Sequence, residues 1–167
     1  KLREETQFEL MDLQAELGMT FVYVTHDQEE AMTMADRIAV MNHGEIVQVA
    51  RPEVMYEAPA CRYVAEFLGD VNMFEAKVAA GEPPNIRLTT PECPSGFQVW
   101  DDDAHSPGDT VWLAVRPEKM TISLDPPPAD APNILSGEIW DIGYSGDWTN
   151  YFVELPGEKV IRVARAN

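Results

Sequence analysis

Ten of the 13 prolines fall between Pro83 and Pro132. Each fixes φ and removes a backbone donor, so that stretch excludes long helices and calls for short strands joined by loops. Before it, helix and strand patterns alternate. The change of grammar puts a boundary near Gly69–Asn72 and predicts two portions, 1–70 and 71–167. Acidity does not follow this division: residues 1–70 carry 5 basic and 14 acidic side chains, residues 71–167 carry 7 and 15.

In the first portion Leu10, Leu13 and Leu17 recur at helical spacing, and Gly18 stands where a helix would end. The run from Thr20 to Thr25 is β-branched and aromatic throughout, which predicts a strand buried on both faces in a parallel α/β sheet. Thr25 with Gln28, and Asp27 with Glu30, have capping-box spacing for a helix over 28–35. Apolar runs at Arg37–Met41 and Ile46–Val49 flank a Gly-bearing turn and predict a β-hairpin. Pro52 suits the first position of a short helix, and a further helix over 61–68 ends at Gly69. In the second portion strands are expected at 74–78, 110–115, 120–123, 137–142, 150–154 and 160–163. That number in about 95 residues fits a small barrel or sandwich.

The net charge of −17 argues against a nucleic-acid partner, since phosphate contacts need clustered Lys and Arg. No apolar run approaches the ~20 residues that span a bilayer, and the first residues lack the apolar core of a signal peptide. Cys61 and Cys93 are too few for a disulfide framework. The chain begins at Lys1, inside a predicted helix, and reads as a piece of a longer polypeptide.

The sharpest local feature is Thr25-His26-Asp27-Gln28-Glu29-Glu30-Ala31, where a strand is expected to meet a helix. Ligands of open α/β sheets gather at the carboxyl ends of strands, and an imidazole there can donate to a phosphate oxygen or orient a water. Taken alone, one histidine in such a place is more often a helix cap or a space-filler than a ligand contact.

The longer run Phe21–Glu45 resembles the H-loop region of ABC transporter ATP-binding subunits, most closely the importer ATPases for polyamines, iron and sugars. The likeness continues through Gln48, Pro52, Tyr56, Pro59 and Val64-Ala-Glu-Phe-Leu-Gly69. Beyond Asn72-Met-Phe-Glu75 the chain resembles the appended TOBE domain, through Trp112–Glu118 and Gly137–Gly146. The resemblance implies the C-terminal α/β part of a P-loop ATPase domain over 1–70, followed by an all-β, OB-like TOBE domain over 71–167. For His26 it implies contact with the γ-phosphate of ATP and positioning of the attacking water. ATP and Mg²⁺ would be the ligands of the intact subunit. Its partners would be a second copy, through both ATPase and TOBE domains, and transmembrane permease subunits, with the protein peripheral on the inner face of the cell membrane.

No G-x-x-x-x-G-K-[ST] loop occurs in the sequence, and neither the family's LSGGQ-like signature nor its Asp-Glu strand is present. No tight ATP binding or hydrolysis is therefore expected of this chain alone. The strand over 20–25 would lack its parallel neighbours, which invites aggregation, swapping or a partner chain. His26, His43, His105, Cys61 and Cys93 lack metal-ligand spacing, so no metal site is expected. Asp101-Asp102-Asp103 reads as a solvated turn, and Trp100, Trp112, Trp140 and Trp148 as mostly core. Two other readings stay open: a non-enzymatic regulatory, dimerisation or small-solute-binding module built on the β portion, and, more weakly, an OB-type nucleic-acid binder.

Overall fold

The computed structural model describes residues 2–128 and 130–167. The chain divides between Gly69 and Asp70 into two units, each with its own core. Strands outweigh helices, and among the described residues no helix is long and apolar enough to cross a membrane.

The first unit opens with α1 (Leu2–Leu17) and α2 (Gln28–Met34), followed by strands β1 (Ile38–Asn42) and β2 (Glu45–Ala50) and helices α3 (Pro52–Glu57) and α4 (Arg62–Phe67). β1 and β2 form the expected antiparallel hairpin, with Asn42 opposite Glu45. Its two turn residues, His43 and Gly44, have φ of 49° and 83°, the positive values of a type I′ turn that matches strand twist. Pro52 opens α3 as expected. Ile38 and Val40 face inward and pack with Met55, Val64 and Leu68, while Met32, Val47 and Phe67 close around them. The Gln48 side chain ties down the α3–α4 connection, donating to Ala58 O at 3.1 Å and accepting from the Ala60 N–H at 2.8 Å.

One expectation fails in this unit. Residues 20–25 form no strand, and Val22 and Val24 are 89% and 92% exposed. A strand needs a neighbour to complete its ladder, and among the described residues none pairs with this segment. Leu10, Leu13 and Leu17 lie exposed along α1, because the hairpin with α3 and α4 fills the core without them.

Among the described residues the second unit contains seven antiparallel strands: β3 (Asn72–Glu82), β4 (Asn85–Thr90), β5 (Cys93–Trp100), β6 (Thr110–Val115), β7 (Glu138–Tyr144), β8 (Trp148–Glu154) and β9 (Val160–Ala166). They form a four-stranded sheet ordered β5-β4-β3-β6 and a three-stranded sheet ordered β7-β8-β9. Alternation along β3 and β4 turns Phe74, Ala76, Val78, Ile86 and Leu88 inward, where they share one core with Val153 and Ile161 of the other sheet and with Leu155 just beyond β8. Phe74 and Phe97 meet at 5.3 Å with tilted rings.

Asn72 fastens the two sheets. Its buried amide donates to Arg162 O at 2.7 Å and accepts from the Arg162 N–H at 2.8 Å, copying a pair of ladder bonds between β3 and β9. Lys159 adds a second tie: it donates to Met73 O, lies 4.5 Å from the Phe74 ring centroid and pairs with Glu92 at 3.2 Å.

The strand expected over 120–123 is absent. Instead a 3-10 turn at Pro117–Lys119 leads into irregular chain. All four tryptophans are more exposed than expected, from 43% at Trp112 to 73% at Trp100. Trp112 alternates with Val111 and Leu113, which are the residues that face the core.

Burial pushes the Glu92 carboxyl up, but hydrogen bonds from Thr90, the Glu92 backbone N–H and Lys159 outweigh it and hold the group below its ordinary range. A folded pKa below the unfolded one contributes stability above the unfolded value and loses it as pH falls through the folded value. Stability of the β unit is thus expected to fall as pH drops below the ordinary Glu value of 4.5. Urea unfolding across that range should show Glu92→Gln with a flatter pH dependence; an unchanged slope would contradict the assignment.

Candidate functional site

The segment around His26 is organised by three side chains. Asp27 is the N-cap of α2, and its Oδ1 accepts from the Glu30 N–H at 3.1 Å. Thr25 is not the cap. Its Oγ1 instead accepts from the Asp27 N–H at 2.9 Å and donates to Glu30 Oε2 at 2.7 Å. Only half of the Asp27–Glu30 capping box forms, because the Glu30 carboxylate turns away from the cap. It also accepts from Tyr23 Oη at 3.2 Å and, through Oε1, from Gln7 Nε2 at 3.3 Å. With 7% exposure Glu30 is a buried polar residue of this unit, and burial without such donors would be costly. Sequence spacing identified Glu30 as a helix-capping residue only. The missed signal was the pair Tyr23 and Thr25, two hydroxyls two residues apart on the extended segment just before the helix.

His26 sits between these anchors and points its chemistry outward. It is exposed, and among the described residues it makes no hydrogen bond or ion pair. An imidazole so placed can donate to an anion or orient a water without first breaking an internal bond. Among the described residues no group of three or more His, Cys, Asp or Glu could hold a metal ion. Cys93 is buried in the β unit, Cys61 is exposed, and His105 pairs with Asp101 at 3.0 Å. The Asp103 N–H, donating to Asp101, holds the Asp101 carboxyl below its ordinary range, and His105 adds to this.

A separate open cleft of about 500 Å³ lies in the β unit beside Arg87, Trp100 and Asn133. Asn133 forms one wall by pairing with Gln98 as a strand would, at 2.7 and 2.9 Å. The cleft includes none of the residues around His26.

Comparison with known proteins agrees with the resemblance read from the sequence. Residues 113–167 match the TOBE domain family. Over its full length the chain is 41% identical to the putrescine transport ATP-binding protein PotG of Escherichia coli K12, covering 44% of that protein. It is 42% identical over 163 residues to the spermidine/putrescine import ATP-binding protein PotA of Rubrobacter xylanophilus, a match that takes in 93% of this chain and 40% of the relative. The PotA protein of Trichormus variabilis is 39% identical over 170 residues, and 44% of it is covered. The chain thus spans less than half the length of the curated relatives it matches.

The Asp27 cap gives a direct check on this geometry. Asp27→Ala should cost about 1 kcal/mol and fray the first turn of α2. Amide exchange at Glu30, whose N–H it accepts, should accelerate while the β1–β2 hairpin keeps its protection; equal acceleration in both would argue against a local cap.

Proposed function

We propose, from likeness along the whole chain to ATP-binding proteins of polyamine importers, that this is the C-terminal part of such a subunit. Residues 1–70 would complete its ATPase domain and residues 71–167 would form the TOBE domain. The single observation that carries the reading at the site is His26: an exposed imidazole held between two anchored residues, in a run that resembles the H-loop.

Phosphoryl transfer asks a protein mainly for positioning and charge stabilisation. His26 suits that work, as a donor to the terminal phosphate of ATP and a partner that orients the attacking water. ATP bound with Mg²⁺ supplies the scissile phosphoanhydride. The residues present offer this one contact, while the phosphate cradle and the Mg²⁺ ligands belong to the rest of the intact subunit. Thr25 and Asp27 hold the backbone on either side of the imidazole.

The intact protein would couple ATP hydrolysis to polyamine uptake, docked on membrane permease subunits at the cytoplasmic face. Homodimerisation is supported by the edge strand β7, on which Ile139, Trp140, Ile142 and Tyr144 are all exposed. Apolar edge strands of this kind are normally covered.

The test is turnover. The 167-residue chain alone should release no phosphate from MgATP, whereas the full-length subunit should. His26→Ala in that subunit should lower kcat by about 10²-fold or more, in line with loss of one preorganised donor. Unchanged hydrolysis in the variant would reject the assignment of His26, and hydrolysis by the isolated chain would reject the division of labour.

A further inference from the structure

We propose that Glu30 is the positioning residue for His26. The proposal rests on the reading of His26 given above and adds the group that holds it in place.

Side chains tie together the chain on either side of His26. The Glu30 carboxylate gathers Thr25 Oγ1 at 2.7 Å and Tyr23 Oη at 3.2 Å from the segment before His26, and Gln7 Nε2 at 3.3 Å from α1. On the other side of His26, Asp27 is held twice. Its N–H reaches Thr25 Oγ1 at 2.9 Å, and its carboxylate accepts the N–H of Glu30 itself at 3.1 Å. The chain from Thr25 to Glu30 is therefore closed into a ring of hydrogen bonds with His26 inside it, and each bond in the ring leads to Glu30 directly or through one residue.

Glu30 is carried by α2, which is seated on the hairpin core through Ala31 and Met32 and through Ala35 just after it. The carboxylate thus links the loop that carries His26 to a packed element. Hydrogen bonds to a charged acceptor in a buried setting are stronger than neutral ones, so this anchor outweighs the looser contacts of the segment. Glu30 does not touch the reacting atoms; it acts through Thr25 and the His26 backbone. Glutamine can replace much of this role, because its carbonyl oxygen still accepts from Thr25 and Tyr23, and the Gln7 amide can turn to offer its own oxygen.

Two measurements on Glu30→Ala and Glu30→Gln test the proposal. In the 167-residue chain, amide exchange at residues 25–27 should accelerate about tenfold in Glu30→Ala, with the β1–β2 hairpin unchanged, as expected of a local opening. Glu30→Gln should stay within about threefold of the parent, since most of the hydrogen bonds survive. In the full-length subunit, Glu30→Ala should lower kcat about tenfold or more with the KM for ATP little changed, because misplacement affects the reacting geometry more than binding. Glu30→Gln should recover most of that loss. Unchanged exchange at 25–27, equal loosening of the hairpin, or no recovery in Glu30→Gln would each overturn the positioning role. Local loosening in the chain, combined with hydrolysis indifferent to both Glu30→Ala and His26→Ala, would instead refute the transporter-ATPase reading of His26.

Discussion

The bond from the Thr25 hydroxyl to the buried Glu30 carboxylate is the contact on which the placement of His26 depends. A carboxylate at 7% exposure is costly to bury unless donors surround it, and Gln7, Tyr23 and Thr25, all from the chain before His26, supply them. The same group that requires those donors therefore orders them. A short helix seated on a small hairpin core becomes a fixed reference for the segment that leads to His26. His26 lies exposed on this ring, and among the described residues it has no internal partner.

The β unit solves a different problem, closing two sheets over one core. Alternation places Phe74, Val78, Ile86, Leu88 and Ile161 inside, but apolar packing alone leaves the sheets free to slide. Asn72 and Lys159 remove that freedom with directional bonds between strands far apart in sequence. Arg162 extends the tie, donating to Asn150 Oδ1 at 3.0 Å and pairing with Asp70 at the start of the unit. Polar side chains here fix which strand edge meets which, while the apolar core supplies the driving force.

Features encoded by local chemistry were legible in the sequence. The hairpin turn, the proline that opens α3, the glycine after α1 and strand β6 over Thr110–Val115 each follow from residue type and short-range spacing. Features that depend on distant partners were not. Residues 20–25 carry strand chemistry but find no ladder partner here, and the Leu10–Leu17 stripe finds no core. Strands β4 and β5 were hidden by Pro91, Pro94 and Gly96. Pro94 is tolerated because β5 is the sheet edge, where a missing donor costs no ladder bond. At Gly96 a side chain would come within 2.7 Å of Leu88 O, so glycine is needed for the two strands to approach. His26 could be singled out from its place before a helix and from family resemblance. Glu30 could not, since its role is set by how the segment before the helix folds back onto it.

The central claim is that His26 meets a terminal phosphate while Glu30 holds the loop beneath it. A crystal structure of the full-length subunit with Mg²⁺ and a non-hydrolysable ATP analogue tests it most directly. The account predicts a His26 ring nitrogen within about 2.7–3.2 Å of a γ-phosphate oxygen, with the Thr25–Glu30 bond intact. An imidazole turned away from a phosphate held entirely by other groups would contradict it.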